Sequence, residues 1–273
     1  MDTIASEGIW DMQTRDGVGR HTRVRVIKIG GSVLTDKKTF KLNYHVAERV
    51  AGEIAAAIEK GIKVGIVLGG GSYGHVAASN ARSLEAPPAD ALSLVTMYML
   101  ELALAVADIL ASKGVKPVIY PPHSFCNPEG LMPRCNWSYI RRDMELGITP
   151  VVYGDVYACG KDWCIVSGDE LAIEMACSIG SSSVIYITDV DGVIAADGKI
   201  IDEIHVDELE HGNVANREAS DKVDVTGGIR RKLDAIKLNK CPAVREIIVT
   251  NGLREGNTYA ALMGYGCGTR IIL

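Results

Sequence analysis

From Val24 onward, short runs of β-branched and apolar residues alternate with longer stretches in which apolar and charged positions recur at helical spacing. This is the pattern of strands and helices laid down in turn. Val24 to Ile29 predicts a strand that ends in Gly30-Gly31-Ser32, and the Ala-rich stretch Val46 to Lys60 predicts a helix stopping at Gly61. Ile62 to Leu68 predicts the next strand, which runs into Gly69-Gly70-Gly71-Ser72-Tyr73-Gly74-His75 and a new helix start. A long helix follows from about Ala89 to Lys113, closed by Gly114. Strands are predicted at Val115 to Tyr120 and Ile148 to Tyr153, a hairpin over Val156 to Val166, and a helix opened by Ser167-Gly168-Asp169. Val184 to Thr188 and Glu246 to Thr250 read as strands, with a helix after Thr226-Gly227-Gly228 between them.

Strand–helix alternation of this kind implies an α/β fold, a three-layer αβα sandwich around a mostly parallel central sheet. No linker, repeat or low-complexity stretch interrupts it, so one continuous fold is expected with two lobes, residues 24–155 and 156–273, meeting near residue 155. Met1 to Arg23 has no apolar run and predicts a loose extension, neither a secretory signal nor an anchor. Ala91 to Leu110 is apolar enough to raise a membrane span, but Glu101 and Asp108 interrupt it, which favours a buried helix.

Composition narrows the function. The 273 residues carry 29 Lys+Arg against 34 Asp+Glu, a net charge of −5, which supplies no bulk positive field for nucleic acid or anionic lipid. Seven cysteines, an odd number without a CxxC pair, predict reduced thiols and a cytoplasmic protein. No His/Cys/Asp cluster has structural zinc spacing, and no G-x-S-x-G elbow is present.

Three glycine-rich turns, Gly30-Gly31-Ser32, Gly69-Gly70-Gly71-Ser72 and Thr226-Gly227-Gly228, each lie beside a predicted helix start. Glycines let backbone N–H groups approach an anion, so such turns together can cradle a polyphosphate, although each alone is also an ordinary tight turn. Gly69, Gly71 and Gly74 satisfy G-x-G-x-x-G, but the acidic residue of a dinucleotide site does not follow at the required distance. No Walker-type G-x-x-x-x-G-K-[ST] loop occurs. Phosphoryl transfer also requires cations around the moving group. Lys28 lies inside an apolar strand, where an unpaired ammonium is costly and a ligand phosphate would account for it. Lys37 and Lys38 follow the first glycine loop, and Lys232 follows the last. His75, directly after Gly74, can donate to a phosphate oxygen or cap a helix; Asp155, Asp169, Asp189, Asp191 and Asp224 sit at element ends, where capping competes with orienting lysines or reaching Mg²⁺ through water.

Lys28-Ile29-Gly30-Gly31-Ser32, Gly69-Gly70-Gly71-Ser72, Thr188-Asp189-Val190-Asp191-Gly192-Val193 and Asp224-Val225-Thr226-Gly227-Gly228 with Lys232 resemble, in order, the motifs of the amino acid kinase superfamily. Within it, Thr35-Asp36-Lys37, Ser72-Tyr73-Gly74-His75, Tyr153-Gly154-Asp155-Val156 and Ser167-Gly168-Asp169-Glu170 are similar to those of the isopentenyl phosphate kinases. The resemblance implies ATP- and Mg²⁺-dependent transfer of a phosphoryl group to isopentenyl phosphate, giving isopentenyl diphosphate for isoprenoid synthesis by an alternative mevalonate pathway, in a homodimer. It further implies catalytic roles for His75, Lys28 and Lys37; acceptor contacts from Gly70, His75, Gly154 and Asp155; and ATP contacts from Lys28, Gly30, Gly31, Ser32, Gly71, Asp189, Gly228 and Lys232. Leu94, Val95, Met97, Tyr98, Met99 and Leu102 are candidates for one wall of a pocket for the prenyl tail. Leu68 stands where the family often has His before the glycine run, and the stretch Phe125 to Trp137 is unusual. Another small phosphate or phosphonate monoester such as fosfomycin phosphate, and storage of an oxyanion with ATP, stay open beside this reading.

Overall fold

Period-two alternation sends neighbouring strand residues to opposite faces of a sheet, and this chain uses it to build a core on both. The computed structural model describes residues 23–36, 40–127, 134–195, 198–206 and 241–273. Its first half contains β1 (Val24–Ile29), α1 (Gly31–Leu34), β2 (Thr35–Asp36), β3 (Lys41–Leu42), α2 (Tyr44–Glu59) and β4 (Lys63–Leu68). A wide π-helical turn (Ser72–Val76) then leads into α3 (Ala77–Ser83), α4 (Pro88–Ser112), β5 (Pro117–Ile119) and α5 (Pro122–Phe125). Next come β6 (Cys126–Asn127), β7 (Arg134–Cys135), α6 (Ser138–Glu145), β8 (Thr149–Tyr153), β9 (Asp155–Cys159) and β10 (Asp162–Val166). The remainder is α7 (Gly168–Ile179), β11 (Ser183–Thr188), β12 (Glu203–His205), β13 (Glu246–Asn251), α8 (Asn257–Met263) and β14 (Thr269–Ile272).

Eight strands form one sheet in the order β12-β14-β13-β11-β1-β4-β8-β5, parallel except for the β13–β14 pair. Ile27 and Ile29 of β1, Ile66 and Leu68 of β4, and Ile185 and Ile187 of β11 pack on one face with α2, α4 and α8. Val26, Val67, Val184 and Tyr186 pack on the other with α6 and α7. The three-layer α/β expectation is therefore met, and the alternation in β1 that buries Val26 against α7 also directs Lys28 to the α7 side.

Among the described residues α4 is the one helix long and apolar enough to cross a membrane. Its inner face, including Val95, Met99, Leu102, Val106 and Leu110, is buried in the core as expected.

The cysteines correct the sequence reading. Six of them pair, as Cys126–Cys135, Cys159–Cys164 and Cys177–Cys241, leaving Cys267 free. Spacing alone did not reveal this, because the partners are brought together by pairing and packing. Cys126 lies opposite Cys135 in the β6–β7 register, Cys159 and Cys164 share the β9–β10 hairpin, and Cys177 on α7 meets a residue 64 positions later.

Candidate active site

The register aligns the carboxyl ends of the central strands, with Ile29 beside both Leu68 and Ile187, and Leu68 beside Tyr153. In open α/β sheets the crevice beyond these ends, where successive connections leave for opposite sides, is the usual ligand position. β1 occupies that place here, with β4 on one side and β11 on the other.

Four glycine-bearing turns meet at this end. Gly30 N–H donates to Ile187 O at 2.8 Å, Gly69 N–H to Ile29 O at 2.8 Å and Gly154 N–H to Leu68 O at 3.2 Å. The first two turns touch so closely that a methyl group on Gly31 would lie 2.0 Å from the Gly71 nitrogen. Gly71 also has φ of +51°, a backbone region costly for residues with a Cβ. Thr35, buried and part of the Thr35-Asp36-Lys37 motif but given no role from the sequence, locks the two turns together: its hydroxyl donates to Gly31 O at 2.8 Å and accepts from Ser72 N–H at 2.9 Å. Only glycine permits these approaches, which crowd backbone N–H groups around one small volume.

Lys28 projects into this volume. Its Nζ lies 2.9 Å from Asp169 Oδ1, with both side chains about one-sixth exposed (15% and 16%). The strand lysine is thus not an unpaired ammonium awaiting a phosphate, as its apolar surroundings suggested; a carboxylate at the start of α7 compensates it. Asp169 is held by its backbone, since the Ser167 side chain caps α7 by accepting from Asp169 N–H at 3.2 Å. Gly69 and Gly168 flank the lysine, and a methyl on either would come within 3.1 Å and 3.7 Å of its Cε. Asp169 is the functional candidate whose importance the sequence understated, because Ser-Gly-Asp before an apolar run reads equally well as a plain helix cap.

His75 stands in the π-helical turn, exposed, just after Gly74, whose N–H donates to Gly70 O at 2.7 Å. A methyl on Gly70 would lie 3.3 Å from His75 N, so the His75 backbone stacks directly on the second glycine turn. Beside it, Phe40, Tyr73 and Tyr98 form an aromatic trio with centroid separations of 5.9 to 6.5 Å. Met99 presses on Gly74, where a Cβ would lie 2.7 Å from its Sδ. Of the wall residues proposed from sequence, Tyr98 and Met99 therefore approach the His75 turn. Leu94 and Met97 point outward, at 45% and 67% exposure, while Val95 and Leu102 are core residues. Helical spacing could not separate these faces without knowing which side of α4 meets the sheet.

Asp155 is 3% exposed. Its Oδ1 accepts from Thr96 Oγ1 at 3.0 Å and from Val156 N–H at 2.9 Å, and His123 Nε2 lies 3.7 Å from its Oδ2. Burial pushes its carboxyl above the usual range, against the opposing pull of the Val156 N–H, Thr96 and His123. Asp189 is exposed after β11, and neighbouring Asp191 is tied to Asn251 at 2.9 Å and Arg254 at 2.5 Å. Both bonds hold the Asp191 carboxyl below its usual range. Lys37, Asp224, Gly228 and Lys232 lie outside the described residues.

The sequence profile described as "Amino acid kinase family" matches residues 23–251. The chain belongs to the amino acid kinase family. Among the relatives of this amino acid kinase is the isopentenyl phosphate kinase of Methanocaldococcus jannaschii, 30% identical over 264 residues that cover 90% of this chain and 97% of the relative. The isopentenyl phosphate kinase of Thermoplasma acidophilum is 31% identical, covering 83% and 91% of the two chains. A solved structure titled as isopentenyl phosphate kinase superposes with a TM-score of 0.74 at 26% identity, over 91% of this chain and all of that one. A uridylate kinase of Zymomonas mobilis is 29% identical over 92% of this chain and 95% of its own length.

Proposed function

We propose that this amino acid kinase transfers the γ-phosphoryl group of ATP to isopentenyl phosphate, forming isopentenyl diphosphate. The observation that carries the reading is near-full-length similarity to isopentenyl phosphate kinases, together with an anion-receiving cluster of glycine turns, Lys28 and His75 next to an aromatic wall. The wall suits an apolar tail, and the cluster suits two phosphate-bearing substrates meeting head to head.

A phosphate monoester is already an anionic nucleophile and needs no general base, so the chain's contribution is positioning and charge stabilisation. Lys28, aimed by Asp169, neutralises charge on the equatorial oxygens of the transferring group while an acceptor oxygen attacks in line and ADP leaves. Lys37 adds a second cation there. His75 donates to the acceptor phosphate, with Gly70 and Gly154 beside it; Gly31, Ser32 and Gly71 offer backbone N–H groups to ATP, while Gly30, whose own N–H is held by Ile187 O, lets the nucleotide approach the turn, joined by Asp189, Gly228 and Lys232. In this assignment residues 24–155 form the acceptor lobe and 156–273 the nucleotide lobe. Mg²⁺ would enter with ATP, held on its phosphate oxygens. It would lower the negative charge that the acceptor must approach.

The homodimer is assigned to the outer stripe of α4, where Leu94, Met97, Leu100 and Leu104 are exposed at roughly helical spacing. Met97→Glu should convert a dimer to a monomer in light scattering, and an unchanged mass would discard this face. The placement in the cytoplasm is retained together with three disulfides, a combination found in cytosols of hyperthermophiles; thiol counting after lysis under alkylation checks it.

A coupled ADP-release assay with ATP and Mg²⁺ tests the function against isopentenyl, dimethylallyl and geranyl phosphates, fosfomycin phosphate, acetylglutamate and UMP. Selective turnover of isopentenyl phosphate is expected. Selective turnover of UMP or fosfomycin phosphate, or silence on all six, would overturn the reading.

A further inference from the structure

Asp155 poses an electrostatic problem for an enzyme whose acceptor is an anion. The carboxylate is buried, follows Gly154 at the strand ends, and has an oxygen, Oδ2, with no hydrogen bond. Placing a negative phosphate near a desolvated negative carboxylate is costly, since low dielectric strengthens repulsion as well as attraction. The groups around it come from four elements. Thr96 of α4 and the Val156 N–H of β9 bond Oδ1, neither bringing a net charge. The Tyr153 hydroxyl of β8 is itself buried without a hydrogen bond, and burial, with a smaller push from the Asp155 charge, holds its proton on more firmly. His123 of α5 approaches from the solvent side, its Nε2 3.7 Å from Oδ2 and 3.4 Å from Thr96 Oγ1, with half of its side chain exposed. Among these groups His123 alone can supply a positive charge.

We propose that His123 is a positioning residue for the acceptor: as an imidazolium it neutralises Asp155, so that the acceptor phosphate docks beside a paired rather than a bare carboxylate. The pair also ties α4, α5 and β9 together through Thr96, which explains why a polar cluster persists under an otherwise apolar helix. This rests on the functional reading above. Its consequence is a charge effect confined to the acceptor side, which His123 would exert without touching substrate.

Steady-state kinetics on the full-length enzyme test this. His123→Gln should raise KM for isopentenyl phosphate several-fold, about three- to tenfold for one partly screened charge, while KM for ATP and kcat stay within twofold. His123→Arg, which keeps the charge, should restore the wild-type KM. In an Asp155→Asn background His123→Gln should have no further effect on KM. An unchanged KM in His123→Gln, or a KM in His123→Arg no better than that of His123→Gln, would overturn the proposal while leaving the kinase assignment intact. Absence of wild-type turnover would instead fail the functional reading. The pair is then decided by a double-mutant cycle in urea unfolding, where zero coupling between positions 123 and 155 at pH 6 refutes it.

Discussion

Replacing Asp169 by Asn removes one negative charge beside Lys28 while keeping the shape of the side chain. At the observed 2.9 Å, an ion pair in an effective dielectric of about 20 attracts by about 6 kcal/mol before desolvation is counted. Desolvation offsets most of this, and both side chains retain some solvent contact, so the net loss of stability is expected to be about 1–3 kcal/mol. For a chain of this length each kcal/mol lowers Tm by about 2–4 °C, giving a fall of roughly 2–12 °C. The catalytic effect should be larger. With its partner gone, the Lys28 ammonium is free to leave the position between Gly69 and Gly168 that the glycine packing defines. Loss of one preorganised charge at a developing anion costs about 10²–10³ in rate. Coupled ADP release would therefore show kcat down by two to three orders of magnitude with the KM for isopentenyl phosphate changed much less, and calorimetry would show the moderate Tm shift. A kcat within threefold of wild type, with only Tm lowered, would make the pair a structural brace and refute its role in aiming Lys28.

His75→Asn should lower kcat/KM for isopentenyl phosphate by about two orders of magnitude with little change in Tm, because the residue is exposed; unchanged kcat/KM removes it from the site. Tyr98→Ala opens the aromatic trio beside the His75 turn, and the ratio of geranyl to isopentenyl phosphate turnover should rise by about tenfold. If that ratio does not move, the tail lies elsewhere. Reduction of the Cys177–Cys241 bridge, which closes a span of 64 residues, should destabilise the fold by up to about 4 kcal/mol on the chain-entropy account. A Tm indifferent to reductant, with Cys177→Ser behaving as wild type, would show that this bridge contributes nothing.

Much of the site was legible because its parts are local. A Lys in an apolar strand, a Gly-Gly-Ser turn at its end and a second glycine run before His75 are visible without knowing which elements are neighbours. What escaped depended on neighbours. Asp169 and Thr35 acquire their roles only because β4 and α7 are laid against β1, and His123 drew no notice because no glycine run stands beside it in sequence, while Asp155 reaches it from β9. The cysteine pairs failed to show for the same reason.

The amino-acid sequence by itself determined the periodicities: which stretches form the six sheet strands β1, β4, β5, β8, β11 and β13, though not the edge strands β12 and β14, and, by alternation from Val26 to Ile29, that Lys28 and Ile29 look toward opposite layers. Those properties are set by φ, ψ preferences and side-chain direction within a few residues. Tertiary structure alone decided the order of strands, the contact of Gly31 with Gly71, the pairing of Lys28 with Asp169, and which face of α4 turns Tyr98 toward Tyr73. Such contacts join residues far apart in the chain, and their free energy exists only once both apolar faces of the sheet are covered and the layers hold their distance.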